Sequence, residues 1–99
     1  MATVNIETLK PVHLPERQRF EIDLGGGVAE IDYKISGDTI NMYHTGVPFA
    51  YQGQGIAAII TEYALDWAKE NGYKVNPLCS YIRIYIQRHP RYQDNAVGY

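Results

Sequence analysis

The hydrophobic period of this chain changes once, at Gly53, and that change limits the folds open to it. Before it, apolar and polar residues alternate through Arg19, Phe20, Glu21, Ile22, Asp23, Leu24 and again through Ala29, Glu30, Ile31, Asp32, Tyr33, Lys34, Ile35, the period of half-buried strands. After it, Ile56, Ile59, Ile60, Tyr63, Ala64, Trp67 and Ala68 recur at three- and four-residue spacing, with Glu62, Asp66, Lys69 and Glu70 opposite, the stripe of one long amphipathic helix. Asn71 and Gly72 close that helix with residue types that tolerate a left-handed cap. Residues 73–76 then read as a short strand ending at Pro77, so the helix is a crossover onto the sheet.

Four antiparallel strands are expected ahead of the helix. Residues 4–9 read as the first, set off by Pro11 and Pro15. Gly25, Gly26 and Gly27 lie between two alternating runs and open no helix, so they form a hairpin turn rather than a phosphate loop. Ser36, Gly37 and Asp38 make the next turn, and residues 39–47 resume the alternation with Ile40, Met42 and His44 on one face. The tail carries two conflicting signals. Tyr81, Ile82, Arg83, Ile84, Tyr85 and Ile86 alternate like a strand, yet Ser80 is a good N-cap, Ile82, Tyr85, Ile86 and His89 share a helical face, and Pro90 would stop a helix.

With 99 residues there is material for one hydrophobic core, so residues 1–99 are read as a single domain. Nine Lys and Arg against eleven Asp and Glu mark no nucleic-acid or polybasic membrane binder. No apolar run approaches the ~20 residues that span a bilayer. The lone Cys79 closes no disulfide within the chain, and the N-terminus lacks the pattern of a secretory signal. These features predict a cytoplasmic protein with neither nucleic acid nor membrane among its partners.

The chemistry concentrates at Gln52, Gly53, Gln54, Gly55, Ile56 and Ala57, where strand gives way to helix. A helix start carries unpaired N–H groups and the positive end of the dipole, which suits a diphosphate, and glycines admit phosphate close to the backbone. The same glycines equally serve to shape a tight strand-to-helix joint. Neither the dinucleotide fingerprint nor a Gly-Lys-Ser/Thr loop is present.

In this setting the sequence resembles the GNAT superfamily of N-acetyltransferases, whose signature is Gln or Arg, two residues, Gly, one residue, then Gly or Ala. Gln52, Gly55 and Ala57 fit it in position. The wider stretch is similar to the minimal, roughly hundred-residue GNAT-like proteins, through His44, Thr45, Gly46, Val47 and Pro48, then Val75 to Tyr81, then His89, Pro90, Arg91 and Tyr92. Such proteins lack the two N-terminal helices and last two strands with which larger members build an amine pocket.

The resemblance implies an α+β, truncated GNAT fold: a mostly antiparallel five-stranded sheet with strands four and five splayed apart, and a helix over residues 81–88. It implies acetyl-coenzyme A as co-substrate, with its diphosphate at Gln52, Gly53, Gln54, Gly55, Ile56 and Ala57 and its pantetheine paired to the backbone around Val47. The partner would be an unidentified amine acceptor. Alternatively the chain holds the coenzyme without turnover, as a sensor or docking module.

Acyl transfer to an amine needs a base, a polarised carbonyl and an acid for the leaving thiolate. In the family layout His44 and Cys79 would face each other across the splay. Cys79 is then an acyl-accepting nucleophile activated by His44 and the following helix start, or an inert small side chain. Tyr85 is the candidate acid, and Arg88 reaches a phosphate or faces water. His13, His44, Cys79 and His89 lack the paired spacing of a zinc site, so no metal is expected.

Overall fold

The computed structural model describes residues 2–99. Five strands, β1 (Val12–Leu14), β2 (Arg19–Asp23), β3 (Val28–Ser36), β4 (Thr39–Gly46) and β5 (Lys74–Pro77), form one sheet in chain order. The first four pair antiparallel, and β5 pairs parallel to β4. Helices α1 (Ile56–Glu70) and α2 (Ser80–Arg88) complete an α+β fold. Among the described residues, no helix is long and apolar enough to cross a membrane.

The alternation of the first half produces one buried sheet face. Phe20 pairs with Ile31 and Ile22 with Ala29, all fully buried, while Arg19, Glu21, Glu30 and Asp32 share the opposite face. The glycine triplet does turn the hairpin, with Leu24 N–H donating to Gly27 C=O at 2.9 Å. Packing also demands it: a Cβ on Gly26 would lie 2.5 Å from Tyr51 Oη, and one on Gly27 3.0 Å from Pro48.

The first strand is not where the sequence pattern put it. Residues 6–8 form a 3₁₀ turn, because the Asn5 side chain accepts the Glu7 N–H at 3.0 Å and offers the backbone an alternative to a ladder. The strand is Val12–Leu14, between the two prolines read as separators. It is an edge strand, paired only to β2, where a missing N–H leaves no gap in a ladder.

α1 buries Ile56, Ile60, Thr61, Ala64, Leu65 and Ala68, a wider arc than its isoleucine stripe suggests, because it packs on both the sheet and α2. It ends in a Schellman cap: Gly72, at φ +75°, donates to Lys69 C=O, and Tyr73 N–H donates to Ala68 C=O at 2.9 Å. The tail is a helix. Its buried residues are Ile82, Tyr85 and Ile86, whereas Ile84, which a strand would have buried with Ile82 and Ile86, is exposed. The helix starts one residue earlier than Ser80 as cap would give, with Cys79 at the N-cap position. Beyond α2, Tyr92 is buried and its hydroxyl donates to Asp66 at 2.6 Å, and residues 95–97 bond to Val75 along the outer edge of β5.

Two predictions follow from the interior. Thr61 is fully buried and its hydroxyl has no partner among the described residues. Thr61→Val should raise the unfolding free energy by about 1 kcal/mol, read from the urea midpoint, because it removes an unpaired polar atom. His13 stacks on Phe20 and meets Trp67 edge-on, with Nε2 2.5 Å from Tyr33 Oη. Burial lowers its pKa against an opposing pull from Glu16. The unfolded chain therefore binds a proton near pH 6.5 that the folded one resists. The melting temperature should fall as pH drops below that value, and less so in His13→Gln.

Candidate functional site

Between β4 and α1 the backbone makes a 3₁₀ turn at Phe49–Tyr51 and then passes through Gly53 at φ +82° and Gly55 at φ +84°. Both angles favour glycine, and a Cβ at either position would meet nothing within 4 Å among the described residues, so the requirement is conformational. Gly55 is the N-cap of α1, with no capping side chain and no acidic residue in the first turn. The first helical bond is Ile59 N–H to Gly55 C=O, which leaves the N–H groups of Ile56, Ala57 and Ala58 without acceptors among the described residues. They open on a cleft of about 370 Å³ lined by Thr45, Val47, the 51–53 turn, Gly55 to Ala58 and Tyr81. A helix start so arranged takes an anion through main-chain donors.

The side chains of three residues hold this loop in place. Gln52 Nε2 donates to Val47 C=O at 3.1 Å, and Tyr51 Oη accepts the Gly26 N–H at 2.8 Å. Gln54 turns away from the cleft: its Oε1 accepts the Val4 N–H at 3.0 Å, and its Nε2 donates to Ala2 C=O at 2.5 Å and Tyr51 C=O at 3.3 Å. Of the loop residues singled out in the sequence, Gln54 is thus a clasp for the N-terminal segment, and Val47, Gln52, Gly53, Gly55, Ile56 and Ala57 line the cleft.

At the other end β4 and β5 part. Their last paired residues are Met42 and Pro77, and Met42 C=O then accepts both the Leu78 and Cys79 N–H groups, at 3.0 and 3.1 Å. Cys79 Sγ lies 3.5 Å from Thr45 Oγ1, whose residue also lines the cleft. Burial pushes the thiol pKa up, but the Thr45 hydroxyl and the N–H groups of Ile82 and Tyr81 at the start of α2 outweigh it, and the net shift is downward. Tyr81 lines the cleft and also an adjoining hollow with Tyr85, Arg88 and His89. Burial raises both tyrosine pKa values, and Tyr85 stacks on His89 at 3.9 Å.

His44 does not face Cys79. Asp32 pairs with His44 but Tyr33 with Met42, so Tyr43 is an extra residue in β4, a bulge that shifts the phase of all that follows. Thr45 then takes the core-side position opposite buried Ile31. His44 joins Asp32 on the far face, with Nε2 3.5 Å from Glu30. Alternation alone could not reveal the bulge, which is why Thr45 escaped the sequence reading; Tyr51 and Tyr81 escaped it because nothing separates them from seven other tyrosines. Ligand atoms of Glu30, Asp32 and His44 lie within 4.8 Å of one another. The Arg19 guanidinium already holds these carboxylates, at 2.7 Å from Asp32 and 3.3 Å from Glu30, and a cation would have to displace it.

The sequence profile of the GCN5-related N-acetyl-transferase family matches residues 19–95. Protein NATD1 of Mus musculus is 36% identical over 81 residues, covering 79% of this chain and 74% of that protein. Protein NATD1 of Danio rerio is 33% identical over 94 residues, covering 90% and 86%. The NMR solution structure of a GCN5-like protein from Staphylococcus aureus superposes with a TM-score of 0.72 at 29% identity, over 92% of this chain and 90% of that one.

The thiol environment is directly measurable. Alkylation of Cys79 by iodoacetamide should titrate with a midpoint below the ordinary 9.0. Thr45→Val removes the hydroxyl and should move the midpoint up, slowing the reaction at pH 7 severalfold.

Proposed function

This chain belongs to the GCN5-related N-acetyltransferase family, and from that membership we propose that it binds acetyl-coenzyme A in the cleft and passes the acetyl group to an amine by way of Cys79. The observation that carries the reading is the uncapped, glycine-shaped start of α1, whose free N–H groups border a cleft that ends beside Cys79 and Thr45. Residues 53–58 would hold the diphosphate. Beyond Met42, β4 runs on to Gly46 without β5, so its backbone there, up to the Val47 that Gln52 holds, is open to pairing with an amide-bearing ligand as an added strand pairs.

Thr45 and the start of α2 favour the Cys79 thiolate, which attacks the acetyl carbonyl carbon as the bond from that carbon to the coenzyme sulfur breaks. Tyr81, which lines the cleft, is better placed than Tyr85 to give the departing sulfur a proton, and burial keeps its phenol protonated at neutral pH. His44, held by Glu30 on the far face of the sheet, takes the ammonium proton before the amine enters the gap between β4 and β5. The free amine then attacks acetyl-Cys79, the bond from the carbonyl carbon to Sγ breaks to restore the thiolate, and the proton the amine sheds returns Tyr81 to its phenol. A reducing cytoplasm fits a half-buried thiol that must stay free.

Intact mass after incubation with acetyl-coenzyme A and denaturing removal of ligand should show a gain of one acetyl group, lost in Cys79→Ala. Gly55→Glu should abolish binding itself, because it strains a positive φ and sets a carboxylate at the anion site. Binding without covalent gain, with Cys79→Ala turning over normally, would replace the relay by direct transfer. Binding with no turnover of any amine would leave a coenzyme-holding module.

A further inference from the structure

The sheet face opposite the buried core has no part in the cleft, yet it reaches the same gap between β4 and β5. The Tyr43 bulge gives this face its character. Asn41 pairs with Lys34 and His44 with Asp32, so Tyr43 and His44 stand next to each other on the exposed side, where regular alternation would have turned one of them inward. Two unlike surfaces meet there. On one side Ile35, Tyr43 and Leu78, exposed by 39%, 47% and 60%, line a shallow hollow of about 560 Å³ with Lys34, Ser36 and Asn41. On the other, His44 lies against Glu30 and Asp32, and the three carboxylates of Glu21, Glu30 and Asp32 share one counter-charge, Arg19.

Gly46 supports this arrangement independently. Its φ is ordinary, but a Cβ there would lie 3.0 Å from His44 Nε2 and 3.4 Å from Glu30 Cγ, so a side chain at this position would crowd the pair and make one of them shift by a few tenths of an ångström. Leu78, whose N–H donates to Met42 C=O where the β4–β5 pairing ends, lines the apolar hollow and so sets it beside the gap.

We infer that this face is the acceptor site, and that it takes a small primary amine attached to an apolar body; the inference rests on the proposed acetyl transfer. Arg19 stays in place, and the ammonium group is drawn only by the negative charge that its single guanidinium leaves unbalanced among Glu21, Glu30 and Asp32, at the Glu30 edge beside His44. The apolar body lies on Tyr43 and Leu78, and His44 receives the proton between them. The hollow is of small-molecule size. A polyamine would match the negative end but leave Tyr43 and Leu78 without a partner.

The test titrates 2-phenylethylamine into the full chain saturated with coenzyme A and follows amide and methyl resonances, with spermidine as the comparison. Shifts should centre on Ile35, Tyr43, His44 and Leu78. The Tyr43→Ser/Leu78→Ser variant should weaken phenylethylamine binding about tenfold and Glu30→Gln by a similar factor. Acetyl-coenzyme A binding by the Tyr43→Ser/Leu78→Ser variant should be unchanged, which shows that it folds. Shifts confined to other surfaces, or spermidine binding as tightly and being acetylated in preference, would overturn the inference while leaving acetyl transfer standing. Failure of the chain to bind acetyl-coenzyme A would overturn the transfer reading and this inference with it.

Discussion

The carbonyl of Met42 receives two N–H groups, those of Leu78 and Cys79, and the geometry of the site follows from that shared acceptor. A parallel ladder would carry β5 onward beside β4; drawing both donors onto one oxygen turns the chain out of the sheet. α2 begins at once, with Cys79 at its N-cap, while β4 runs on to Gly46 with one edge open. The open edge and the place of the thiol are consequences of one strand pair ending four residues early, and the unpaired start of α1, set separately by Gly55 at its N-cap, lies beside them. Each would be a defect in a sheet that served only as scaffold, and together they border a cleft.

The bulge at Tyr43 is the second constraint, and the two work on opposite sides of the sheet. It moves Thr45 to the core side, within reach of Cys79, and His44 to the far side, against Glu30. A regular β4 would have done the reverse, leaving the thiol without its hydroxyl neighbour. Thiol and imidazole are thereby kept on separate faces. This arrangement suits chemistry in which one ligand arrives from each side of the sheet.

Much of this was legible in the residues and some of it could not be. The change of period at Gly53 marked the sheet, the crossover helix and their joint, because periodicity reports directly on which face is buried. It failed where a single residue alters the phase or where side chains outcompete the ladder: at Tyr43, whose insertion leaves no mark on composition, and at Asn5, whose carboxamide diverts the backbone into a turn. The tail was undecidable locally, since isoleucines at positions 82, 84 and 86 satisfy a strand as well as a helix. Only packing against α1 and the sheet selects the helix and leaves Ile84 outside. Gln54 sat within the motif but is spent on Ala2 and Val4, contacts fifty residues away that no local pattern displays.

The central claim is that the free N–H groups at the start of α1 are the diphosphate site. Amide hydrogen exchange across residues 53–58, with and without acetyl-coenzyme A, addresses it at those atoms. Without ligand these amides should exchange at nearly the rate of unstructured chain, and saturating acetyl-coenzyme A should slow those of Gly55 to Ala58 by at least tenfold. Protection that appears elsewhere in the chain while these amides stay fast would contradict the account.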